Sequence, residues 1–294
     1  MVSVIIPTFN AMPGITDLLS ALKGQTVPCE IIVIDSSSPD NTARAALSLD
    51  VRVMSVEKKE FNHGRTRNLA VEHAAGDIVV FLTQDALPVR PDCIERLVQP
   101  LEDREIAASY GRQTPRDDAR PTEKFARHFN YPPAPSVKSW EDISRLGIKA
   151  FFFSNVCSAV RKKEFMDVGR FPEDLIMFED MLLAARVLKA GYRIAYVPGA
   201  EVIHSHDYGW REQFGRYAAA GVSFARNQWF LEHAKAHGEG VTLLRKEVAY
   251  FLKQGMYYWG LYALVEALFK YCGYRYGLKL PHGPAGRTAL TRHG

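Results

Sequence analysis

Short apolar runs alternate along the chain with segments whose apolar residues recur at helical spacing. Residues 2–6 (VSVII), 30–35 (EIIVID), 51–56 (VRVMSV), 77–82 (DIVVFL) and 106–110 (IAASY) read as strands. GITDLLSALKGQ, SSSPDNTARAAL, LAVEHAA and PDCIERLVQPL read as the helices between them, and Gly76 stops the third. Such alternation predicts an α/β fold with a doubly wound, mostly parallel sheet flanked by helices. Further on, Glu179-Asp180 opens a helix whose apolar face is Met181, Leu182, Ala185 and Leu188, and EVIHSH follows as a strand. Past residue 211 the alternation fades. The chain thus divides into a domain over residues 1–210 and a C-terminal helical extension over 211–294.

In doubly wound sheets, ligands sit beyond the carboxyl ends of the strands. The residues in that position are Thr8 and Asn10, then Asp35, Ser36 and Ser37, then FNHGRTRN (61–68), then Thr83, Gln84 and Asp85. Four polar clusters are expected to converge on one edge. FNHGRTRN falls at a helix start, where free backbone N–H groups and the macrodipole favour an anion. Gly64 permits a tight turn or a close backbone approach. Arg65 and Arg67 can supply charge-assisted bonds to phosphate. Arg65 can equally be a solvated surface charge, and His63 a capping or core histidine.

Composition narrows the picture. A chain of 294 residues with 47% hydrophobic content supports a large core. A net charge of +4 gives no basis for nucleic-acid binding. The charge is uneven, with eight Lys/Arg against two Glu over residues 241–294. The four cysteines stand singly, which argues against a structural zinc site or disulfide framework and suits a reducing cytosol. The N-terminus lacks a basic n-region and does not read as a signal peptide. No apolar stretch reaches the roughly 18 residues of a spanning helix. Residues 248–280 hold ten aromatics interrupted by Lys253, Lys270, Arg275 and Lys279. This suits an interfacial helix on an anionic bilayer. The alternative is a helical pair packed on the domain or at a dimer interface. Residues 281–294 read as a loose tail.

VSVIIPTFN, IIVIDSSSPDNT, HGRTRNLAVEHAAGDIVVFLTQDALP and FEDMLLAARVLKAGYRIAYVPGAEVIHSH resemble, in order, the signature segments of family 2 glycosyltransferases. These are nucleotide-sugar-dependent enzymes of the GT-A fold. FNHGRTRN, TQDALP, YGRQTP and SNVCSAVRKKEF together are similar to the bacterial rhamnosyltransferase branch, whose donor is dTDP-L-rhamnose. The resemblance implies that Thr8, Asn10 and Ser37 border the nucleoside and that Asp35 accepts from the base N–H, although an Asx-turn role for Asp35 stays open. It places Arg67 and Asn68 near the nucleotide-sugar, with Arg65, His63 and Gln84 as further binding candidates. Thr83, Gln84 and Asp85 fill the D-x-D slot, so only the second aspartate survives. The resemblance also places a metal-ligating histidine in HSH. His206 fits best, though His204 and His206 can face the same side of an extended segment. Mg²⁺ or Mn²⁺ is the implied cofactor.

Asp180 matches the family's general base and Glu179 its orienting neighbour, for a single in-line displacement with inversion. The implied acceptor is a hydroxyl of a bacterial surface glycan or lipid-linked glycan. The implied location is cytoplasmic, at the inner face of the membrane. Other readings are a UDP-hexose donor or a catalytically inactive binding protein on this fold. A dinucleotide-dependent oxidoreductase is disfavoured, because no G-x-G-x-x-G follows the first strand.

Overall fold

The computed structural model describes residues 1–227, 229, 232 and 238–280, so the expected loose tail lies outside the described residues. The first half runs β1 (Val2–Thr8), α1 (Gly14–Lys23), β2 (Cys29–Asp35), α2 (Thr42–Ser48), β3 (Arg52–Ser55), α3 (His63–His73) and β4 (Ile78–Leu82). Next come β5 (Leu87–Pro88), α4 (Cys93–Val98), β6 (Ile106–Thr114), α5 (Pro121–Asn130), β7 (Ser136–Lys138) and α6 (Ile143–Leu146). Then follow β8 (Cys157–Arg161), α7 (Lys162–Asp167), α8 (Glu179–Lys189), β9 (Arg193–Ile203) and α9 (Trp210–Arg226). Two further helices, Glu239–Lys253 and Tyr257–Lys279, close the described chain.

The sheet order is β3-β2-β1-β4-β8-β6-β9-β5, with β7 pairing on β9. β1 to β4 pair in parallel. β8 runs antiparallel between β4 and β6, after which β6 and β9 are parallel again. β1, β2, β3, β4, β6 and β9 therefore share one direction, and β5, β7 and β8 oppose it. The sequence reading assigned IAASY no neighbour and no strand to residues 157–161; the structure sets β8 between β4 and β6. Five residues cannot by pattern alone announce which neighbour they pair with.

Alternation along the central strands builds a core on each face. Ile5 and Phe81 pack with Ala70 and Val71 of α3 and Leu183 and Leu188 of α8. Val4, Ile6 and Val80 pack with Leu18 and Leu19 of α1 and Ile94 and Leu97 of α4.

The Tyr257–Lys279 helix is built inside out. Its buried positions are Gly260, Ala263, Glu266, Gly273 and Gly277. Its exposed ones include Tyr257, Tyr258, Leu261, Leu264, Leu268, Tyr271 and Tyr276. The small residues let it touch the α9 backbone. A Cβ on Gly273 would lie 2.3 Å from the Phe214 carbonyl oxygen, and one on Gly277 2.0 Å from that of Ala218. Buried Glu266 accepts from Gln213 Nε2 at 2.9 Å and pairs with Lys270 at 2.7 Å. Among the described residues no helix is long and apolar enough to cross a membrane.

Candidate active site

The ends of β1 and β2 meet at Thr8 and Asp35, which are partners in register. The Thr8 hydroxyl donates to Asp35 Oδ1 at 2.9 Å. The backbone N–H and hydroxyl of Ser38 donate to the same carboxylate at 2.9 and 2.6 Å. Three donors thus hold a buried aspartate that has about four acceptor sites, so one is left for a ligand N–H. Asn10 and Ser37 flank it at φ 51° and 56°, a left-handed conformation uncommon outside glycine. Asn10 N–H donates to Ser38 Oγ at 2.9 Å, and the Ser37 hydroxyl to the Val56 carbonyl at 2.9 Å. Gln84 is otherwise engaged. Its amide bonds the Phe9 backbone in both directions, at 2.8 and 3.1 Å, and ties the end of β1 to that of β4. Sequence reasoning missed Ser38 and Lys58. The Lys58 ammonium lies 4.3 Å from the centre of the Phe9 ring. The strand-end rule that selected Asp35 also reaches both.

The FNHGRTRN segment departs from the expected anion cradle. Asn62 caps α3, and its Oδ1 accepts from the N–H groups of Gly64 and Arg65 at 3.0 and 2.9 Å. The helix start therefore satisfies its own donors. Gly64 is required by close approach, since a Cβ there would lie 2.2 Å from the Pro172 carbonyl oxygen. His63 and Arg65 are exposed, with the His63 ring edge-on to Phe61 at 4.9 Å. Arg67 and Asn68 are buried and turn to the 171–179 loop. Arg67 donates to Glu179 Oε1 at 2.9 Å. The Asn68 amide donates to the Phe171 carbonyl and Glu173 Oε1, both at 2.9 Å, and accepts from the Phe171 N–H at 3.1 Å.

That loop delivers the acidic pair. Phe178 precedes α8 at φ 67°, a strained conformation for a bulky residue, and its ring packs on Phe224 at 5.1 Å. Glu179 is buried between Arg67 and the Asn155 amide, which donates to Oε1 at 3.4 Å. Asp180 is half-buried. Its Oδ1 accepts from the Met181 N–H at 2.8 Å and its Oδ2 from the Asn155 N–H at 3.4 Å. Burial, and next the charge of Glu179, push its pKa up to about 7. Such a carboxylate can take a proton near neutrality. Asn155, which touches both acids, was not singled out from the sequence. It lies inside SNVCSAV with no spacing rule to mark it.

Asp85 follows β4, and His204 and His206 end β9. Asp85 Oδ1 lies 3.5 Å from His204 Nε2, and Oδ2 lies 3.3 Å from His206 Nε2. The three ligand atoms sit within 4.8 Å of one another. Burial pushes the His204 pKa down to about 3 and also lowers that of His206, so both rings are neutral at pH 7. Two neutral imidazoles and a carboxylate, converging with their electron pairs, fit a divalent cation. The sequence reading chose Asp85 and His206; the structure brings His204 into the same group.

Residues 3–169 match the family described as Glycosyl transferase family 2. The chain is 42% identical over 280 residues to the O-antigen chain rhamnosyltransferase RfbN of Salmonella typhimurium, covering 94% of this chain and 89% of that one. It is 40% identical over 279 residues to the O-antigen chain rhamnosyltransferase WbaN of Salmonella anatum, covering 94% and 88%. The mannosyltransferase PcManGT of Pyrobaculum calidifontis, solved with GDP-Man and Mn²⁺, superposes with a TM-score of 0.60. It is 22% identical, and the match covers 92% of this chain and 86% of that one. The architecture is the GT-A fold, and the chain belongs to glycosyltransferase family 2.

Proposed function

We propose that the chain transfers L-rhamnose from dTDP-L-rhamnose, with inversion, to a hydroxyl of a bacterial surface glycan or lipid-linked acceptor. The choice of sugar follows the two Salmonella relatives, which share most of the chain's length. The reaction follows from Asp180, and the observation that carries this reading is its placement in the first turn of α8, next to the buried Arg67–Glu179 pair and with Oδ2 3.4 Å from the Asn155 N–H. The acceptor oxygen attacks the anomeric carbon as its proton passes to Asp180. The bond from that carbon to the diphosphate breaks on the opposite side.

Asp35, Thr8, Asn10 and Ser37 bind the nucleoside, with Arg65 at the solvent side of the donor. Arg67, Asn68 and Gln84 act through the loops they hold. Glu179 orients the base. Asp85 and His206 would hold a divalent cation, Mg²⁺ or Mn²⁺, which supplies charge neutralisation for the departing diphosphate. The test is calorimetric titration with dTDP, UDP and GDP. Tightest binding of dTDP is expected, and UDP binding as tight or tighter would remove the rhamnose assignment.

The same reading includes a cytoplasmic location with peripheral contact at the inner face of the cell membrane. Its support is the outward face of the Tyr257–Lys279 helix. Exposed Leu261, Leu264, Leu268 and Tyr271 lie on that face. Arg275 and Lys279 are exposed on the same helix, and its one carboxylate, Glu266, is buried. Two copies facing each other would set cation against cation, whereas an anionic bilayer meets both the apolar and the basic groups.

A further inference from the structure

We propose that the cavity between α5, α9 and the two C-terminal helices is a subsite for a neutral pyranoside of the acceptor glycan, with the sugar's C–H face on Tyr258 and Tyr262 and its hydroxyls on Glu247 and Glu266. This subsite rests on the glycan-acceptor reading of the transferase and gives the helical extension a part in choosing that acceptor.

Tyr258, Tyr262, Glu266 and Lys270 recur every four residues along the Tyr257–Lys279 helix, so they form one stripe. The stripe passes from solvent to interior, since Tyr258 is 68% exposed and Glu266 7%. It is distinct from the outward face of Leu264 and Leu268. Further rings widen its outer end. The Tyr262 ring lies 5.3 Å from both Trp210 and Trp259, and the Tyr258 ring 5.2 Å from Trp259. At the inner end, Glu266 and Lys270 line a cavity of about 40 Å³ together with Gln213 of α9 and Glu247 of the Glu239–Lys253 helix. That is room for about three water-sized groups. An edge of hydroxyls can enter while the pyranose ring stays outside on the aromatics.

The cavity adjoins the candidate active site. His206 and Tyr208 form one wall, and their rings stack at 4.9 Å. Arg120 forms another, and its guanidinium donates to the Tyr262 hydroxyl at 2.9 Å, which joins the aromatic end to the polar end.

Charge and hydrogen bonding choose the ligand. Around the cavity Glu123 pairs with Arg127 at 2.7 Å, Asp207 with Arg116 at 3.8 Å and Glu266 with Lys270 at 2.7 Å. Arg120 and Glu247 add one cation and one carboxylate. The walls thus carry no net charge to hold a phosphate or an anionic headgroup. A lipid tail would bury the carboxylates without donors. Burial pushes the Glu247 pKa up to about 7 against the pull of Lys270, so its carboxylate gains from a ligand that donates. A pyranoside supplies hydroxyls that donate to carboxylates and a C–H face for the negative faces of the rings.

The experiment uses the full chain with dTDP and MnCl₂ present to occupy the donor side. Saturation-transfer difference NMR, irradiating the aromatic region, is run with the methyl α-D-pyranosides of glucose, galactose and mannose, and with inorganic phosphate as competitor. Transfer to the ring C–H protons of at least one pyranoside is expected, undiminished by phosphate. Tyr258→Ala should reduce it about threefold or more and Tyr258→Phe should keep it. In turnover with a lipid-linked glycan acceptor fraction, Tyr258→Ala should raise the acceptor KM ~3- to 10-fold with kcat and dTDP affinity kept. Glu247→Gln, a second variant that leaves the aromatic stripe whole, should raise KM about threefold or more. No transfer to any of the three pyranosides, displacement by phosphate, or an unchanged KM in both variants would overturn the proposal. Loss of vesicle flotation by Tyr258→Ala with KM unchanged would assign the stripe to the bilayer instead. The NMR result stands whichever nucleotide-sugar is the donor, so failure of the rhamnose reading is told apart from failure of the subsite.

Discussion

Arg67 and Glu179 form a buried ion pair at 2.9 Å that joins α3 to the first turn of α8 across 112 residues of sequence. Their side chains are 5% and 10% exposed, so neither charge has solvent to fall back on. The next residue is Asp180. The arginine of FNHGRTRN therefore sets the position and charge environment of the acidic pair.

Removing one side of that pair leaves the other buried and unpaired. Arg67→Met should lower the unfolding free energy by about 3–5 kcal/mol. It also removes a positive charge that holds the Asp180 pKa down. The acidic limb of the rate profile should then move to higher pH. Denaturant unfolding and a kcat–pH series would check both effects. An unchanged acidic limb would show that Arg67 only braces the loop.

Asp180→Asn should reduce kcat by ~10²–10⁴-fold with dTDP affinity close to that of the unaltered chain, since a base acts in the transition state. In the parent enzyme, rate should rise with pH through about 7 as Asp180 loses its proton. The stability sign follows from the same shift. The folded pKa lies above the unfolded value of about 3.9, so the contribution is fully present below pH 4 and lost as pH rises through 7. The asparagine variant should gain stability relative to the parent between pH 5 and pH 8. A constant difference across that range would mean that Asp180 is already ionised at pH 5.

Two glycines of the helical extension should respond oppositely to alanine. At Gly277 a Cβ would lie 2.0 Å from the Ala218 carbonyl oxygen, and the helices must part; a loss of about 1–3 kcal/mol is expected. At Gly215, within α9, nothing lies within 4 Å, so helix propensity should stabilise by up to about 1 kcal/mol. Thermal melts of the two variants would decide. Equal effects would contradict the backbone contact between α9 and the Tyr257–Lys279 helix.

The exposed face of that helix should carry the chain to anionic vesicles. Flotation with phosphatidylglycerol vesicles should exceed that with neutral phosphatidylcholine, weaken with salt, and fail when Leu264 and Leu268 are both changed to Glu. Sedimentation should show no change in oligomeric state in that variant. A dimer that the double change dissociates would make the face a subunit contact instead.

What the sequence disclosed follows from periodicity and strand ends. The apolar runs of β1, β2 and β4 marked the sheet, and the polar residues after them led to Asp35 and Asp85. Glu179-Asp180 stood at a helix start, and the i, i+2 spacing of His204 and His206 put both rings on one side. What stayed hidden depends on distant partners. The insertion of β8 between β4 and β6 is set by tertiary pairing. The capping by Asn62 and the turn of Arg67 toward Glu179 require the 171–179 loop to be in place. Gly273 and Gly277 form a small-residue spacing that becomes meaningful only with α9 against it. The aromatic segment offered two readings, a packed pair or an interfacial helix. The structure gives the Tyr257–Lys279 helix one face packed on α9 and an opposite face that is apolar and exposed.

The most direct test of the account is a donor screen with the purified chain, Mn²⁺ and a lipid-linked glycan acceptor fraction. Release of nucleotide from dTDP-L-rhamnose and from UDP-hexoses would be followed for the parent and for Asp180→Asn. The account predicts acceptor-dependent release from dTDP-L-rhamnose, none above background from the UDP-sugars, and near loss of turnover in the variant. Faster release from a UDP-hexose, or undiminished turnover by Asp180→Asn, would contradict it.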